Sequence, residues 1–126
     1  MARIRDLMQS HIVSATKDTR LGSAAKLMKA AHVSVLPVLD GERLFGVIDS
    51  AQAERELGRW GEEKRLGELR LKMFFAEAED KPESVAKVMV ANKISRLPVV
   101  DSASSMRCIG TISATEIARK HKKKLF

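Results

Sequence analysis

The sequence predicts an α+β fold built from two tandem β-α-β-β-α repeats. Three observations support this prediction: an internal duplication, the same order of strand-like and helix-like segments in each copy, and a globular composition. The fragment "SVLPVLD" at residues 34–40 returns as "SRLPVVD" at residues 95–101, an offset of 61 residues. Two copies with a period above about 50 residues indicate paired half-domains rather than a solenoid. We therefore predict a first motif over residues 1–61 and a second over residues 62–126, which together form one module.

The composition fits a small globular protein. Hydrophobic residues make up 44% of the 126 residues, which is enough for a buried core. No apolar run approaches the roughly 18 residues of a membrane-spanning helix, and the N-terminus lacks the apolar core of a signal peptide. Cys108 is the single cysteine, so no intrachain disulfide can form, and a cytoplasmic location is expected.

The net charge of +7 comes mainly from the C-terminal tail. Residues 1–61 carry 9 Lys/Arg and 7 Asp/Glu, and residues 62–126 carry 14 and 9. Five of those 14 basic residues lie between Arg119 and Lys124, so the positive charge is a tail rather than a groove. A solvated helix end is the simplest interpretation, because cations favour the negative end of the helix dipole. Nucleic-acid binding by this tail is the alternative, and the small number of aromatic residues argues against it.

Each copy is predicted to begin with a short strand and a helix. Apolar residues at 12–15 and 73–76 indicate the two first strands. Helices are predicted over Leu21–Ala31 and Ser84–Asn92. In the first of these helices, apolar residues follow the i, i+3, i+4, i+7 spacing of a single buried face; they are Leu21, Ala24, Ala25, Leu27 and Met28.

A hairpin and a closing helix complete each copy. The second strands are rich in β-branched residues, as buried strands prefer, and "DG" at Asp40–Gly41 predicts the turn that follows in the first copy. A closing helix is predicted to begin near Asp49 in the first copy and near Ser113 in the second. The hairpin strands are predicted at Val33–Leu39 with Leu44–Ile48, and at Ile94–Val100 with Arg107–Ile112.

Pro37 and Pro98 lie inside predicted strands, which is unusual because proline cannot donate a hydrogen bond to a ladder. They fit if the ladder begins after the proline or if that edge of the strand stays unpaired. An unpaired edge could also present backbone groups to a flat ligand. Both explanations remain open from the sequence.

The segment "GTISATE" at residues 110–116 is a candidate ligand-binding helix start. Ser113 falls at the predicted N-cap, where its hydroxyl and the positive end of the helix can hold a phosphate. Glu116 lies one turn further on the same face, and its carboxylate can accept hydrogen bonds from both hydroxyls of a ribose. Gly110 would let a ligand approach the backbone closely. The same S-x-x-E pattern is also that of a capping box, which needs no ligand.

The equivalent segment of the first copy is "GVIDSAQ" at residues 46–52. Asp49 replaces the serine and is a good N-cap, but its charge would repel a phosphate. Gln52 replaces the glutamate and is a neutral partner for a ribose. As helix caps the two copies are equivalent, but as nucleotide sites they are not, so we expect one good site and one degraded site.

No catalytic or metal site is predicted. His11, His32 and His121 lack metal-ligand spacing with Cys108. No P-loop, G-x-G-x-x-G or catalytic serine motif is found in the sequence.

The duplicated pattern resembles a CBS-domain pair, also called a Bateman module. The resemblance rests on two β-α-β-β-α copies, each with an "LPV" strand followed by a helix start. The family form of this start is G-h-h-[ST]-x-x-[DE], where h is an apolar residue; residues 110–116 carry its Ser and Glu, whereas residues 46–52 carry Asp49 and Gln52 in their place. It covers about residues 1–122. The resemblance implies half-modules packed with pseudo-two-fold symmetry, two ligand clefts, and a regulatory sensor of adenosine-containing ligands that catalyses no reaction. AMP, ADP or ATP is the expected regulatory ligand, S-adenosylmethionine or NAD is possible, and no cofactor is required.

The resemblance also implies which residues form the two clefts. In the first cleft, Ser113 and Glu116 would bind phosphate and ribose, and Gly110 would lie nearby. The adenine would contact Val13, Val33, Ser34, Leu36 and backbone groups before Pro37, with Met8 and Ser10 near the entrance. The second cleft would pair Asp49 and Gln52 with Phe74, Ile94, Ser95 and Arg96. In the family the positions of Asp49 and Gln52 are held by Ser/Thr and Asp, so the second cleft is expected to bind nucleotides less well.

Three classes of function remain open at this point. The first is the adenosine-ligand sensor, which would regulate a protein that the sequence does not identify. The second is a protein-interaction or dimerisation module with empty clefts, in which the motifs act only as helix caps. The third is a nucleic-acid-associated protein that uses the basic tail. A homodimer is expected, because family modules pair and because the helices supply more apolar surface than one sheet needs.

Overall fold

The computed structural model describes the backbone of residues 1–125 and the side chains of residues 1–120. In chain order, the elements are α1 (Ile4–Leu7), β1 (Ala15–Thr16), α2 (Leu21–Ala31), β2 (Val35–Asp40), β3 (Arg43–Asp49), α3 (Ser50–Trp60), a 3-10 turn (Leu66–Glu68), β4 (Ala76–Glu77), α4 (Pro82–Asn92), β5 (Arg96–Val100), β6 (Cys108–Ser113) and α5 (Ala114–Leu125). The mixed α+β fold and the duplicated element order are confirmed. None of the helices within residues 1–125 is both long enough and apolar enough to cross a lipid bilayer.

The chain forms two compact units that do not coincide with the two sequence repeats. The first-repeat unit is Val13–Phe74, and the second-repeat unit is Met1–Ile12 together with Phe75–Phe126. Residues 1–12, which belong to the first sequence repeat, therefore pack in the second-repeat unit. Residues 62–74, which the predicted boundary places in the second sequence repeat, pack in the first-repeat unit.

In the first-repeat unit, a three-stranded sheet in the order β1-β2-β3 carries α2 and α3. Strand β1 runs parallel to β2, with Ala15 opposite Val38, and β2 is antiparallel to β3. Gly41 has φ +64°, a conformation that glycine adopts without strain, and the predicted turn after Asp40 is confirmed. Apolar residues from the helices and the sheet form one core, which includes Leu21, Ala24, Met28, Leu36, Val38, Ile48 and Ala53.

The second-repeat unit has the same architecture. Its sheet has the order β4-β5-β6, with β4 parallel to β5 and β5 antiparallel to β6. Helices α4 and α5 pack together, and α1 packs on α5. The buried apolar residues of this unit include Ile4, Val85, Met89, Leu97, Val99, Ile112 and Ile117.

In each unit, the stretch of chain just before the first strand of a repeat adds to the edge of the sheet. We call these two stretches, which contain Gln9 and Lys72, the leading segments. The Val47 N–H donates to the Lys72 carbonyl at 2.8 Å, so the segment before β4 pairs with β3. Gln9 and Thr111 exchange two backbone hydrogen bonds of 2.9 Å, so the segment before β1 pairs with β6. Each third strand is therefore paired on both sides by backbone hydrogen bonds, in part with residues of the other repeat.

Two glycines allow this close pairing. A Cβ atom at Gly110 would lie 2.5 Å from the Gln9 carbonyl oxygen and 2.9 Å from Met8 Sδ. A Cβ atom at Gly46 would lie 2.8 Å from Leu71 Cβ. The chain itself therefore occupies the space beside Gly110, and this packing explains the glycine without a ligand.

The same pairing explains the prolines in the strands. Pro37 lies opposite Val47, and Pro98 lies opposite Thr111. Val47 and Thr111 donate their N–H groups to the leading segments and not to the strands that contain the prolines. The two facing pairs, Pro37–Val47 and Pro98–Thr111, therefore do not require a hydrogen bond from a proline N–H. The ladder starts before each proline, so the explanation that it begins after the proline is wrong.

The observed bounds of α2 and α4 agree closely with those predicted from the sequence. The bounds predicted for α2 are those observed, and α4 begins two residues earlier than predicted, with Pro82 in its first turn, where proline is well tolerated. Strands β2 and β5 begin two residues later than predicted, because Val33 and Ile94 donate their N–H groups to Met28 and Met89 and close the preceding helices. His32 and Lys93 adopt the left-handed conformation in these two caps.

The first strands are the least accurate part of the prediction. They were expected at residues 12–15 and 73–76, but β1 and β4 each begin at the last of these residues and are two residues long. The prediction used only the apolar character of these residues and therefore assigned a strand to each whole segment. The backbone runs beside the second strand only at Ala15–Thr16 and Ala76–Glu77.

The basic tail lies in α5. The Lys120 ammonium donates to the Leu7 carbonyl at 3.3 Å, so this residue of the tail holds the leading segment of its own unit. The side chains of His121 to Lys124 lie outside the described residues.

Gly110→Ala tests the pairing of Gln9 with β6. We expect a loss of about 1–3 kcal/mol in the free energy of unfolding, because the added methyl group must displace the Gln9 backbone. Gly58→Ala is the matched control, since Gly58 lies in α3 with open space where the added methyl group would sit, and it should stabilise by about 0.5–1 kcal/mol. Urea unfolding of both variants provides the measurement, and equal effects would contradict the described packing.

Candidate ligand-binding site

The start of α5 brings Ser113 and Glu116 together. The Ser113 N–H donates to Glu116 Oε1 at 2.9 Å, and the Glu116 N–H donates to Ser113 Oγ at 3.0 Å. This reciprocal pair is a capping box, the arrangement that the S-x-x-E pattern also predicted. Both residues are buried, with 7% and 5% of their surface exposed.

Glu116 is held in its charged form. Burial raises the pKa of this carboxyl, but hydrogen bonds from the Gln9 side chain and from Ser113, together with the Arg96 charge, outweigh burial and lower the pKa. A buried carboxylate that keeps its charge can accept several hydrogen bonds. The geometry therefore offers a strong acceptor at the positive end of a helix.

Arg96 lies beside this helix start. It is opposite Ser113 in the β5–β6 ladder, and its guanidinium donates to Thr111 Oγ1 at 3.2 Å. The family resemblance implied that Arg96 lines the second, less favourable cleft, and that role stays a prediction. In the structure it belongs to the same unit as Ser113 and Glu116 and contributes positive charge to them.

The start of α3 has a different set of contacts. Asp49 Oδ1 accepts the Gln52 N–H at 2.7 Å, and Asp49 Oδ2 lies 3.6 Å from the Lys72 ammonium. The Gln52 side-chain Nε2 donates to the Arg70 carbonyl at 3.0 Å. Within the side chains that the structure describes, Gln52 Oε1 is buried and has no hydrogen-bond partner. An unsatisfied buried acceptor costs about 1–3 kcal/mol.

The remaining predicted residues fall into two groups by unit. Gly110, Met8 and Ser10 lie in the unit of Ser113 and Glu116, and Met8 is half-buried beside Gly110 while Ser10 is exposed. Ile94 and Ser95 are in the same unit, where the Ser95 carbonyl accepts the Ala114 N–H at 3.0 Å. None of these positions is shown to bind a ligand, so their roles stay predictions.

The residues predicted to contact adenine all lie in the first-repeat unit. Leu36 and Pro37 are fully buried, so their side chains are not available at the surface. The Ser34 carbonyl accepts the Ser50 N–H at 2.9 Å, and Val33 lines a groove of about 340 Å³ between α2 and α3. Val13 is half-buried. Phe74, which was predicted for the second cleft, lies in the same unit and is also half-buried, with its ring 5.9 Å from the Lys72 ammonium.

Gln9 is a contributor to this helix start that was not predicted from the sequence. Gln9 reaches Glu116 because its backbone pairs with Thr111, a partner far away in the chain. The only sequence signal for Gln9 is its place just before the first strand of a repeat, and that signal does not reveal which third strand it joins.

Comparison with protein families identifies this architecture. The family model described as "CBS domain" matches the chain twice, over residues 4–53 and residues 67–123. The chain therefore belongs to the CBS-domain family, and its fold is that of a CBS-domain pair.

Relatives of the chain include isolated pairs and larger enzymes. The CBS domain pair of protein MJ0100, solved in complex with 5-methylthioadenosine and S-adenosyl-L-methionine, is 23% identical, with a TM-score of 0.79 over 98% of both chains. CBSX2, solved in complex with AMP, is 21% identical, with a TM-score of 0.80 over 100% of both chains. Inosine-5'-monophosphate dehydrogenase of Methanocaldococcus jannaschii is 29% identical over 113 residues, which are 88% of this chain but only 22% of that enzyme.

Glu116→Gln tests the charge of the carboxylate. Because the folded-state pKa is lowered, the charged form stabilises the fold fully above the ordinary pKa of 4.5, and this contribution is lost as pH falls through the lower folded-state value. The free energy of unfolding of the wild type should fall more steeply than that of Glu116→Gln between about pH 5 and about pH 3. Glu42→Gln, in the exposed hairpin turn, is the control and should follow the wild type in urea unfolding. Parallel curves for the wild type and Glu116→Gln would contradict a lowered pKa.

Proposed function

We propose that the chain is a regulatory module that binds an adenosine-containing ligand at the start of α5. The observation that carries this proposal is the buried, charged Glu116 carboxylate beside the Ser113 hydroxyl and the Arg96 guanidinium. An acceptor, a hydroxyl and a cation at a helix N-terminus complement a ribose linked to a phosphate.

Each group has a distinct role in the proposal. The Glu116 carboxylate accepts the two ribose hydroxyls. The Ser113 hydroxyl, at the positive end of α5, holds the phosphate, and Arg96 compensates its charge.

AMP, ADP or ATP is the ligand class that these groups suit best, because each carries both a ribose diol and a phosphate. The solved complexes of MJ0100 with S-adenosyl-L-methionine and of CBSX2 with AMP support an adenosine compound. The chain would act as a sensor, and the protein that it regulates would respond to the ligand-bound state.

Gln9 could couple ligand binding at Glu116 to the segment before the first strand, because it contacts both. Its side chain hydrogen-bonds Glu116, and its backbone pairs with Thr111. Ribose hydroxyls that bind the carboxylate would replace the Gln9 side chain. Ligand binding would therefore change the contacts of the leading segment that follows α1.

A ligand-free interaction module is the alternative function. The complete capping box at α5 favours it, because Ser113 and Glu116 satisfy each other without a ligand. Measured affinity for an adenine nucleotide decides between the two functions.

We also propose that the chain is a homodimer that pairs through its helices. Helix α4 exposes Val88 and Val90, which are 51% and 80% accessible, and the groove between α2 and α3 has an apolar floor that includes Met28 and Ala53. Exposed apolar surface of this kind is typical of a contact with another protein. A second copy would cover it.

Glu116→Gln tests the proposed ligand site. The substitution keeps the size of the side chain and removes its charge, so we expect an affinity for AMP roughly tenfold to hundredfold weaker, equivalent to about 1.5–3 kcal/mol. Isothermal titration calorimetry measures the affinity, with Glu42→Gln as the control of equal charge change. An AMP affinity unchanged by Glu116→Gln, with AMP bound, would place the ligand elsewhere.

Val88→Glu tests the proposed dimer. The wild type should scatter light as a particle of about twice 14.0 kDa, because two copies bury their helices together. The variant should give a mass close to one chain, since a charge cannot be buried unpaired in such a contact. Thermal unfolding checks that the variant is folded, and a wild type of one-chain mass across the micromolar range would refute the proposal.

A further inference from the structure

The groove between α2 and α3 carries charges of opposite sign on its two walls. Lys26 and Lys29 line the wall formed by α2, and Glu54 lines the wall formed by α3. Glu62 lies at one end of the groove, where its carbonyl accepts the Gly22 N–H at 2.9 Å. All four charged side chains are exposed beside the apolar floor of the groove.

These four charges have no ion-pair partner within the part of the chain that the structure describes. A partner that covers the apolar floor must also come close to the charges beside it. Each charge would be costly to bury without an oppositely charged neighbour. The groove therefore favours a partner that carries charges of opposite sign at matching positions.

A second copy of the same groove supplies those charges. Lys26 and Glu54 each lie midway along their wall, because the lining residues extend over 22–29 in α2 and over 50–57 in α3. A two-fold axis parallel to the groove would place α2 of each copy on α3 of the other at the same level. Lys26 would then face Glu54 of the second copy, and symmetry would form the same pair a second time.

The corresponding face of the second-repeat unit does not supply the matching charges. At the positions equivalent to Lys29 and Glu54, α4 and α5 carry Val90 and Ala118. Val90 is 80% accessible, so an apolar side chain stands where the groove has a lysine. This face keeps a lysine at Lys87 but has no acidic residue at the position of Glu54. The α2–α3 groove of one copy therefore fits the same groove of another copy better than it fits the α4–α5 face.

We propose that two copies of the chain pair through the α2–α3 grooves of their first-repeat units, with Lys26 of each copy bound to Glu54 of the other. The proposal rests on the proposed function, in which the chain is a homodimer. It assigns the surface through which the copies meet and the charges that set their register. Electrostatic complementarity of this kind fixes the register of a contact and disfavours other pairings.

Lys26→Glu and Glu54→Lys test this pairing. Each variant alone places like charges at both symmetric contacts, so the dissociation constant of its dimer should rise at least about tenfold. An equimolar mixture of the two variants should recover the wild-type affinity, because both contacts of the mixed dimer again join a lysine with a glutamate. Sedimentation velocity measures the dissociation constants, and native mass spectrometry identifies the mixed dimer.

The matched control is Arg43→Glu, which makes the same change of charge at an exposed position outside the groove and should leave the dimer unchanged. The double variant Lys26→Glu/Glu54→Lys should dimerise like the wild type, and thermal unfolding checks that each variant is folded. Single variants that dimerise normally, or a mixture that stays monomeric, would overturn this pairing and leave the homodimer standing. A wild type of one-chain mass would overturn both proposals.

Discussion

The backbone pairing between each leading segment and a third strand is the constraint on which the rest of the structure depends. Val47 and Thr111 would otherwise hold buried N–H groups without acceptors, which is costly. Because the Lys72 and Gln9 carbonyls accept them, each second strand can contain a proline at the facing position. The same contact requires a glycine at the point of closest approach.

The two helix starts show how one backbone arrangement can carry two different chemistries. Both α3 and α5 follow the last residue of a third strand, and in both the side chain at the cap accepts an N–H three residues later. The two helix starts differ because the leading segments bring different side chains and carbonyl groups to them. Gln9 reaches Glu116, whereas Arg70 and Lys72 contact Gln52 and Asp49. The electrostatics of each helix start are therefore set partly by residues of the other repeat.

Much of the fold could be predicted from the sequence, because the determining patterns are local or repeated. The bounds of α2 follow from its apolar spacing, and the hairpin turn follows from Asp40–Gly41. The duplication itself identifies the family, which the family model confirms. The capping pair at α5 was also predictable, since its two members lie one turn apart.

The errors arose where long-range pairing overrides local pattern. The first strands are short because only two residues of each run beside a partner, and composition does not reveal this. The sequence also does not fix how residues of the two repeats are grouped in the folded units. Gln9 was missed for the same reason.

The grouping of residues also determines where the polypeptide can be divided. Cut at the border of the sequence repeats, the fragments 1–61 and 62–126 would each hold most of one unit and a piece of the other. Neither fragment would contain a complete unit, so each would need the other to supply its missing sheet edge. A permuted chain that starts at Val13 and carries residues 1–12 after residue 126 would instead make both units continuous. The borders at Val13 and Phe75, rather than the end of the repeat, are therefore the natural ones for fragment complementation and circular permutation.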